Sequence, residues 1–474
     1  MSLKIDKVKD PPKLVITFAN TLFVLGIVSA ILLSIYAVYK IYSPLSYTTN
    51  TFYYLCILFS GISATLFGFG LKLNNNLKVN LSVLIITIGI SFYAYEIYLE
   101  YSDIEISKKL IDQSETKTLK EVFEDLNDSG VDTYRNFLPA YLIQSNGLTN
   151  EYGGIYPLGG ISNITTLLHN ESGYYPIIET DERGFNNSKG LYNKNKIDIM
   201  LIGDSFIEGY SVRHNETISA VIRESDYNAI SLGKGGNGPL INFATLIEYA
   251  KPLQPKIVLW FFYFNDLSDL NIEMSSSFLK KYLNEDGFSQ NLISRQNEID
   301  NVLVNYIQEE KEKEEIKGKE TKTKRSLERS IQILKLSNFR LKMNLYPNPL
   351  LPLEFNNILE KSNKVVSGWG GKLYFIYLPS YYRYSTILSN PFKKYLNFIY
   401  SVNLDPYENI LRTVTELDIP IIDIHKEVFE PHPDPLSLFP FREIGHYTAE
   451  GYRLIAENII KILKNKEEFI MRFE

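Results

Sequence analysis

The stretch Ile197-Asp198-Ile199-Met200-Leu201-Ile202-Gly203-Asp204-Ser205-Phe206 decides how this chain is read. A near-continuous apolar run of this length implies a strand covered on both faces, as in parallel sheets with helices packed above and below. The run stops at Gly203. A serine at the carboxyl end of such a strand projects into the crevice where open α/β sheets bind ligands, and its own N–H can face an oxyanion. Taken alone, Asp204 and Ser205 serve equally well as caps of a following helix.

Outward from that stretch, β-rich runs alternate with amphipathic segments, the pattern of a parallel sheet flanked by helices. Strands are predicted at Ile197 to Ile202, Asn228 to Leu232, Lys256 to Tyr263, Leu373 to Leu378 and Pro420 to Ile424. Helices are predicted at Glu216 to Glu224, Leu240 to Tyr249 and Pro406 to Leu417, and a last one begins at Thr448, a good N-cap residue.

Three more clusters fall at the ends of these elements. After the second strand comes Gly233-Lys234-Gly235-Gly236-Asn237-Gly238-Pro239, whose glycines let a backbone N–H approach a ligand or simply make a turn. The third strand runs out at Phe264-Asn265-Asp266, placing a neutral amide donor at the same edge or, again, a turn. Near the C-terminus, Glu443-Ile444-Gly445-His446-Tyr447-Thr448 sets an imidazole ahead of a helix with a carboxylate three residues earlier. Such a pair can take a serine proton and hold the ring in the useful tautomer. His425, at the end of the strand through Ile421 and Asp423, is the rival base.

The order Ser, Gly, Asn, His resembles the four sequence blocks of the SGNH (GDSL-like) hydrolases, over about 196 to 465 apart from an insertion. The resemblance implies a flavodoxin-like three-layer α/β/α sandwich and hydrolysis or transfer of an ester-linked acyl group, with no metal and no cofactor. By position it makes Ser205 the nucleophile and His446 the base, with the N–H groups of Ser205 and Gly236 and the Asn265 amide as oxyanion donors. Two features depart from the family pattern. Glu443 stands where the family has Asp, which leaves Asp434 as a substitute third member, and Tyr263 stands where glycine is common. The segment from Tyr174 to Asn187, with Thr180-Asp181-Glu182-Arg183-Gly184-Phe185, also resembles the lead-in of membrane-anchored relatives associated with bacterial surface polysaccharides.

The N-terminal part reads as a membrane anchor. Runs at about 14–39, 52–71 and 79–98 are long and apolar enough to cross a hydrocarbon core of about 30 Å, and Tyr93, Tyr95 and Tyr98 form a rim at the exit of the third. Lys4, Lys7, Lys9 and Lys13 before the first run, with Lys72 and Lys78 between the second and third, belong on the cytoplasmic side. An N-terminus inside and three spans then put everything after about residue 100 outside the cytoplasm of a bacterial cell.

Composition excludes several classes. The formal net charge is −6 and the Lys/Arg residues form no basic stripe interleaved with aromatics, so nucleic acid is not an expected partner. The single cysteine rules out an intramolecular disulfide. No Gly-x-Gly-x-x-Gly turn follows the first strand, which argues against a nucleotide module.

The expected organisation is therefore a three-span anchor over 1–100, a loop-rich lead-in over 101–195, and a hydrolase-like domain over 196–474 interrupted at about 270–365. The centre of that insertion, rich in Glu and Lys from Glu309 to Arg329, reads as a solvated helix or excursion. The expected partners are an acylated glycan or small ester, the lipid bilayer, and a membrane protein delivering acyl groups if the three spans do more than tether. A binding or assembly protein that has lost turnover is the alternative, consistent with Glu443 and the many Tyr residues.

Overall fold

The computed structural model describes residues 10–42, 50–112, 117–150, 153–193, 196–317, 329–337, 339, 351–384, 407–443 and 445–471. The chain divides into two compact units, one of Met1–Glu105, Thr321–Leu350 and Pro391–Leu404, the other of Ile106–Glu320, Leu351–Asn390 and Asp405–Glu474.

The first unit includes, among the described residues, three long helices, α1 (Lys13–Ile41), α2 (Asn50–Gly70) and α3 (Asn75–Asp112), the last running on past Glu105. Each is long and apolar enough to cross a membrane, over Lys13–Ile41, Tyr53–Gly70 and Asn75–Tyr101. Apolar side chains such as Leu25, Leu32, Leu66 and Ile90 point outward, as hydrocarbon rather than water would favour. Where α1 meets α2, the Phe23 and Phe67 rings pack edge to face at 5.9 Å and the Ser34 and Ser60 hydroxyls lie 2.5 Å apart.

In the second unit five parallel strands form the sheet: β1 (Ile199–Ile202), β2 (Ala229–Ser231), β3 (Ile257–Phe262), β4 (Lys372–Tyr377) and β5 (Ile421–Asp423). Their order, β2-β1-β3-β4-β5, is the flavodoxin-like one. Because side chains alternate across a strand, each apolar run feeds two cores. Met200, Ile202, Val258, Trp260, Phe262, Phe375 and Tyr377 point to one face, where Leu240 and Ala244 of α6 (Pro239–Thr245) and Phe355, Ile358 and Leu359 of α9 (Leu353–Gly368) cover them. Ile199, Leu201, Leu259, Phe261 and Ile376 point to the other. There they meet Ile218, Val221 and Ile222 of α5 (Ile218–Arg223) and Tyr452, Ile455 and Ile459 of α11 (Ala449–Met471). The result is three layers, and each fully buried Ile or Leu contributes about 1.5–3 kcal/mol.

Between these lie α4 (Ser205–Glu208), α7 (Asp266–Glu273), α8 (Gln296–Lys317) and α10 (Tyr407–Glu416). The start of α8 is not solvated, since Ile299 and Leu303 are fully buried in the first core. Residues 106–193 belong to the same unit as the sheet. Within them, Thr165–Leu167 and Ile177–Glu179 pair antiparallel as a hairpin. The lead-in segment also closes the sheet's β2 edge. Asn187 Nδ2 donates to Ser231 O and Ser231 N–H to Asn187 Oδ1, both at 2.8 Å, so a side chain occupies backbone groups that an edge strand would otherwise expose. Asp181 holds that turn, accepting from the N–H groups of Arg183 and Phe185, the Asn187 amide and the Tyr192 hydroxyl.

Candidate active site

At the carboxyl end of β1, Asp204 Oδ1 accepts the Phe206 N–H at 3.0 Å and starts α4, and Gly209 ends it in the left-handed region. This four-residue helix places Ser205, half-buried, at the mouth of the sheet. Its Oγ lies 2.7 Å from His446 Nε2, although the two residues are 241 positions apart. The histidine loop is tied to the end of β4 by the Tyr447 hydroxyl, which donates to Pro379 O at 2.6 Å. Thr448 accepts the Gly451 N–H at the start of α11, as its N-cap reading predicts. Phe206 and Tyr210 flank the imidazole with ring centroids at 4.5 and 5.0 Å. Tyr263 packs against Phe206 at 4.2 Å and so forms one wall of the site.

The carboxylate at the other ring nitrogen is Glu171, in the loop of the Thr165–Leu167 and Ile177–Glu179 hairpin. Its Oε2 accepts from His446 Nδ1 at 2.8 Å, from the His446 N–H at 2.9 Å and from Ser211 Oγ at 2.7 Å. Burial works against its charge, but the hydrogen bonds and charge of His446 outweigh it and hold the carboxyl down at about 2. An ionised carboxylate only accepts, so Nδ1 carries the proton and Nε2 presents a lone pair to the serine hydroxyl. Gly445 permits this approach: a Cβ there would stand 3.0 Å from Glu171 Oε2.

Neither acid expected from sequence occupies that position. Asp434 pairs with Arg442, whose Nη2 reaches Oδ1 at 2.9 Å. Glu443 follows the turn at Phe441 and Arg442, both in left-handed backbone, and its charge is felt at Tyr381. With Glu171 Oε2 already on both N–H groups of His446, the ring has no donor left for Glu443. His425, the rival base, has its Nδ1 2.7 Å from the Tyr384 hydroxyl and stands over Tyr407, not at Ser205. The sequence offered no local sign of Glu171. His169-Asn170-Glu171-Ser172-Gly173 reads as an ordinary turn, and tertiary contacts aim it at the histidine: Leu168 and Ile178 dock on Tyr210, and Ser211 Oγ donates to Glu171.

The glycine loop is held by a fully buried ion pair. Lys234 Nζ lies 2.6 Å from Glu208 Oε1 and donates to Asn136 Oδ1 at 2.8 Å, and Glu208 Oε2 accepts the Gly235 N–H at 2.6 Å. Removing one partner of such a pair costs about 3–5 kcal/mol. From Gly233 to Gly238 each N–H donates within the protein except that of Gly236: to Ser231 Oγ, Gly203 O, Glu208, Lys234 O and Glu273 in turn. Gly236 has φ +72°, which turns its N–H out of that pattern. Among the described residues the Ser205 N–H likewise meets no protein acceptor. Asn265 Nδ2 donates one of its two hydrogens to Asp269 Oδ2 at 2.7 Å.

No group of His, Cys, Asp and Glu side chains among the described residues is arranged to hold a metal ion. What the fold and site define is a flavodoxin-like α/β domain carrying a Ser–His–Glu relay at the carboxyl edge of its sheet. No family model matches the chain, and no curated protein matches it. Among solved structures it is similar to a lipase/acylhydrolase from Enterococcus faecalis, with 13% identity and a TM-score of 0.29 over 57% of this chain and 96% of that one. A putative lipolytic protein of the G-D-S-L family from Desulfitobacterium hafniense DCB-2 is similar at 12% identity and TM-score 0.31, over 56% and 99% of the two chains. An acetyl xylan esterase follows at 13% and 0.30, over 56% and 99%.

Proposed function

We propose that this chain is a serine-dependent ester hydrolase or O-acyltransferase of the SGNH type, anchored in a bacterial cytoplasmic membrane. The observation that carries the reading is the continuous relay Ser205 Oγ, His446 Nε2, His446 Nδ1, Glu171 Oε2, at 2.7 and 2.8 Å. As Ser205 Oγ bonds to an ester carbonyl carbon, its proton passes to His446 Nε2. The charge that appears on the ring is balanced by Glu171. The carbonyl oxygen becomes an oxyanion facing the N–H groups of Ser205 and Gly236. On collapse the C–O bond to the leaving alcohol breaks, and that oxygen takes the proton from His446. Water, or a sugar hydroxyl in the transferase version, then attacks the acyl-serine with His446 again as base.

The finer reading is acetyl or acyl exchange on a surface glycan outside the cytoplasm. It draws on the Lys pattern around α1–α3 and on the likeness of the Tyr174–Asn187 segment. A membrane protein supplying acyl groups would suit a three-span anchor. The test uses full-length protein in detergent, offered an aryl acetate with and without an oligosaccharide acceptor, alongside a fluorophosphonate probe. Wild type should hydrolyse the ester and take up the probe, and Ser205→Ala should lose both. Acetylated oligosaccharide would mark the transferase. Equal turnover by Ser205→Ala, or no labelling of wild type, would reject catalysis in favour of glycan binding.

A further inference from the structure

The charged insertion does not simply run into solvent. Residues 329–334 are helical, and the segment closes on the far end of α3 within the same compact unit. Arg329 Nε pairs with Glu100 Oε1 at 3.2 Å, the Tyr93 hydroxyl donates to Leu334 O at 3.3 Å, and the Phe339 N–H donates to Glu96 Oε2 at 2.6 Å. The Phe339 ring meets Phe92 edge-on at 5.1 Å and Tyr95 at 6.2 Å. These contacts lie in the tyrosine rim where α3 would leave the bilayer.

The outer side of this segment is apolar. Leu334 is 69% exposed and Ile331 40%, three residues apart on one helical face. Tyr95, Ile97 and Tyr98 of α3 are exposed along the same stretch of helix. Single exposed apolar residues are ordinary, but here they continue the lipid-facing surface of a spanning helix. One described cation of the segment accompanies this surface: Lys335 is exposed beside Leu334, whereas Arg329 is taken up by Glu100.

We infer that Arg329–Ser337, with Phe339, is an interfacial anchor, lying in the headgroup layer beside the exit of α3, with Ile331 and Leu334 at the acyl boundary and Lys335 on anionic lipid headgroups. An apolar side bounded by Lys and Arg is the surface that such a layer binds, in either leaflet. The inference rests on α3 crossing the bilayer and is independent of the acyl-transfer reading.

The test places a polarity-sensitive fluorophore at Leu334→Cys in full-length protein carrying Cys56→Ala. The protein is reconstituted in vesicles of phosphatidylcholine, with or without part of the lipid replaced by phosphatidylglycerol. The label should be quenched by a doxyl group near the lipid headgroup, be shielded from iodide, and respond more strongly with phosphatidylglycerol present. Adding Lys335→Glu should lower the inserted-to-free ratio on the order of ten-fold. Quenching by iodide alone in both lipids would overturn the anchor. Shielding from both quenchers would overturn the lipid in favour of a protein cover. Equal doxyl quenching in the two lipids would overturn the anionic preference.

Discussion

Glu171 reaches the His446 ring from a hairpin loop 34 positions ahead of Ser205 and accepts three hydrogen bonds there. In the proposed relay it fixes the tautomer and balances the imidazolium. Glu171→Gln keeps the shape but removes the charge that orients the ring, and a wrong-tautomer histidine costs about 10⁴ in kcat. Glu443→Gln and Asp434→Asn should leave turnover of an aryl ester near the wild-type value. If Glu443→Gln is the slow variant and Glu171→Gln the normal one, the relay drawn above is wrong. There is a stability consequence as well. With its carboxyl held at about 2, below the unfolded value, Glu171 contributes stability above the ordinary carboxylate range that is lost as pH falls toward 2.

At the scale of elements, α7 and the end of β1 bring together carboxyl groups that behave oppositely to Glu171. Burial raises Asp204 to about 6, Asp269 to about 7 and Glu273 to about 8, the last against the Gly238 and Leu240 N–H groups that it accepts. Asp266 is pushed well above its ordinary value by burial and then by the charge of Asp204. A folded-state value above the unfolded one stabilises below the unfolded pKa, and that contribution disappears as pH climbs through the folded value. The thermal midpoint should therefore fall between about pH 6 and about pH 8, and Asp266→Asn should flatten the fall. A midpoint constant or rising across that window, followed by calorimetry in membrane-mimetic detergent, would contradict this account. None of it was legible beforehand, because nothing in the local sequence sets a buried Asp266, Asp269 or Glu273 apart from a water-facing one. The strands were legible for a physical reason: Ile199–Ile202 and Ile257–Phe262 are buried on both faces, so their composition alone marks them. Ser205, Gly236 and His446 stood out because each lies just after a strand or just ahead of a helix. Glu171 was not, since a hairpin loop's aim is set by packing that no local pattern encodes.

For the molecule as a whole, the described residues of both cores of the sheet unit all belong to that unit, although the chain leaves it at 320/321 and 390/391 and returns at 350/351 and 404/405. A core that is complete without the other unit should fold without it. Deleting 1–105 alone would leave Thr321–Leu350 and Pro391–Leu404 without the unit to which they belong, among them the exposed Ile331 and Leu334, and such apolar surface favours aggregation. Replacing both segments by flexible Gly/Ser linkers of about ten residues costs little loop entropy, because closure depends only weakly on length. The linker-bearing chain lacking 1–105 should be monodisperse by size-exclusion chromatography and should keep fluorophosphonate labelling at Ser205, whereas the simple truncation should precipitate. Loss of labelling in a soluble, folded linker-bearing chain would mean that the anchor unit helps to form the site, and the two units would then have to be treated as one catalytic body.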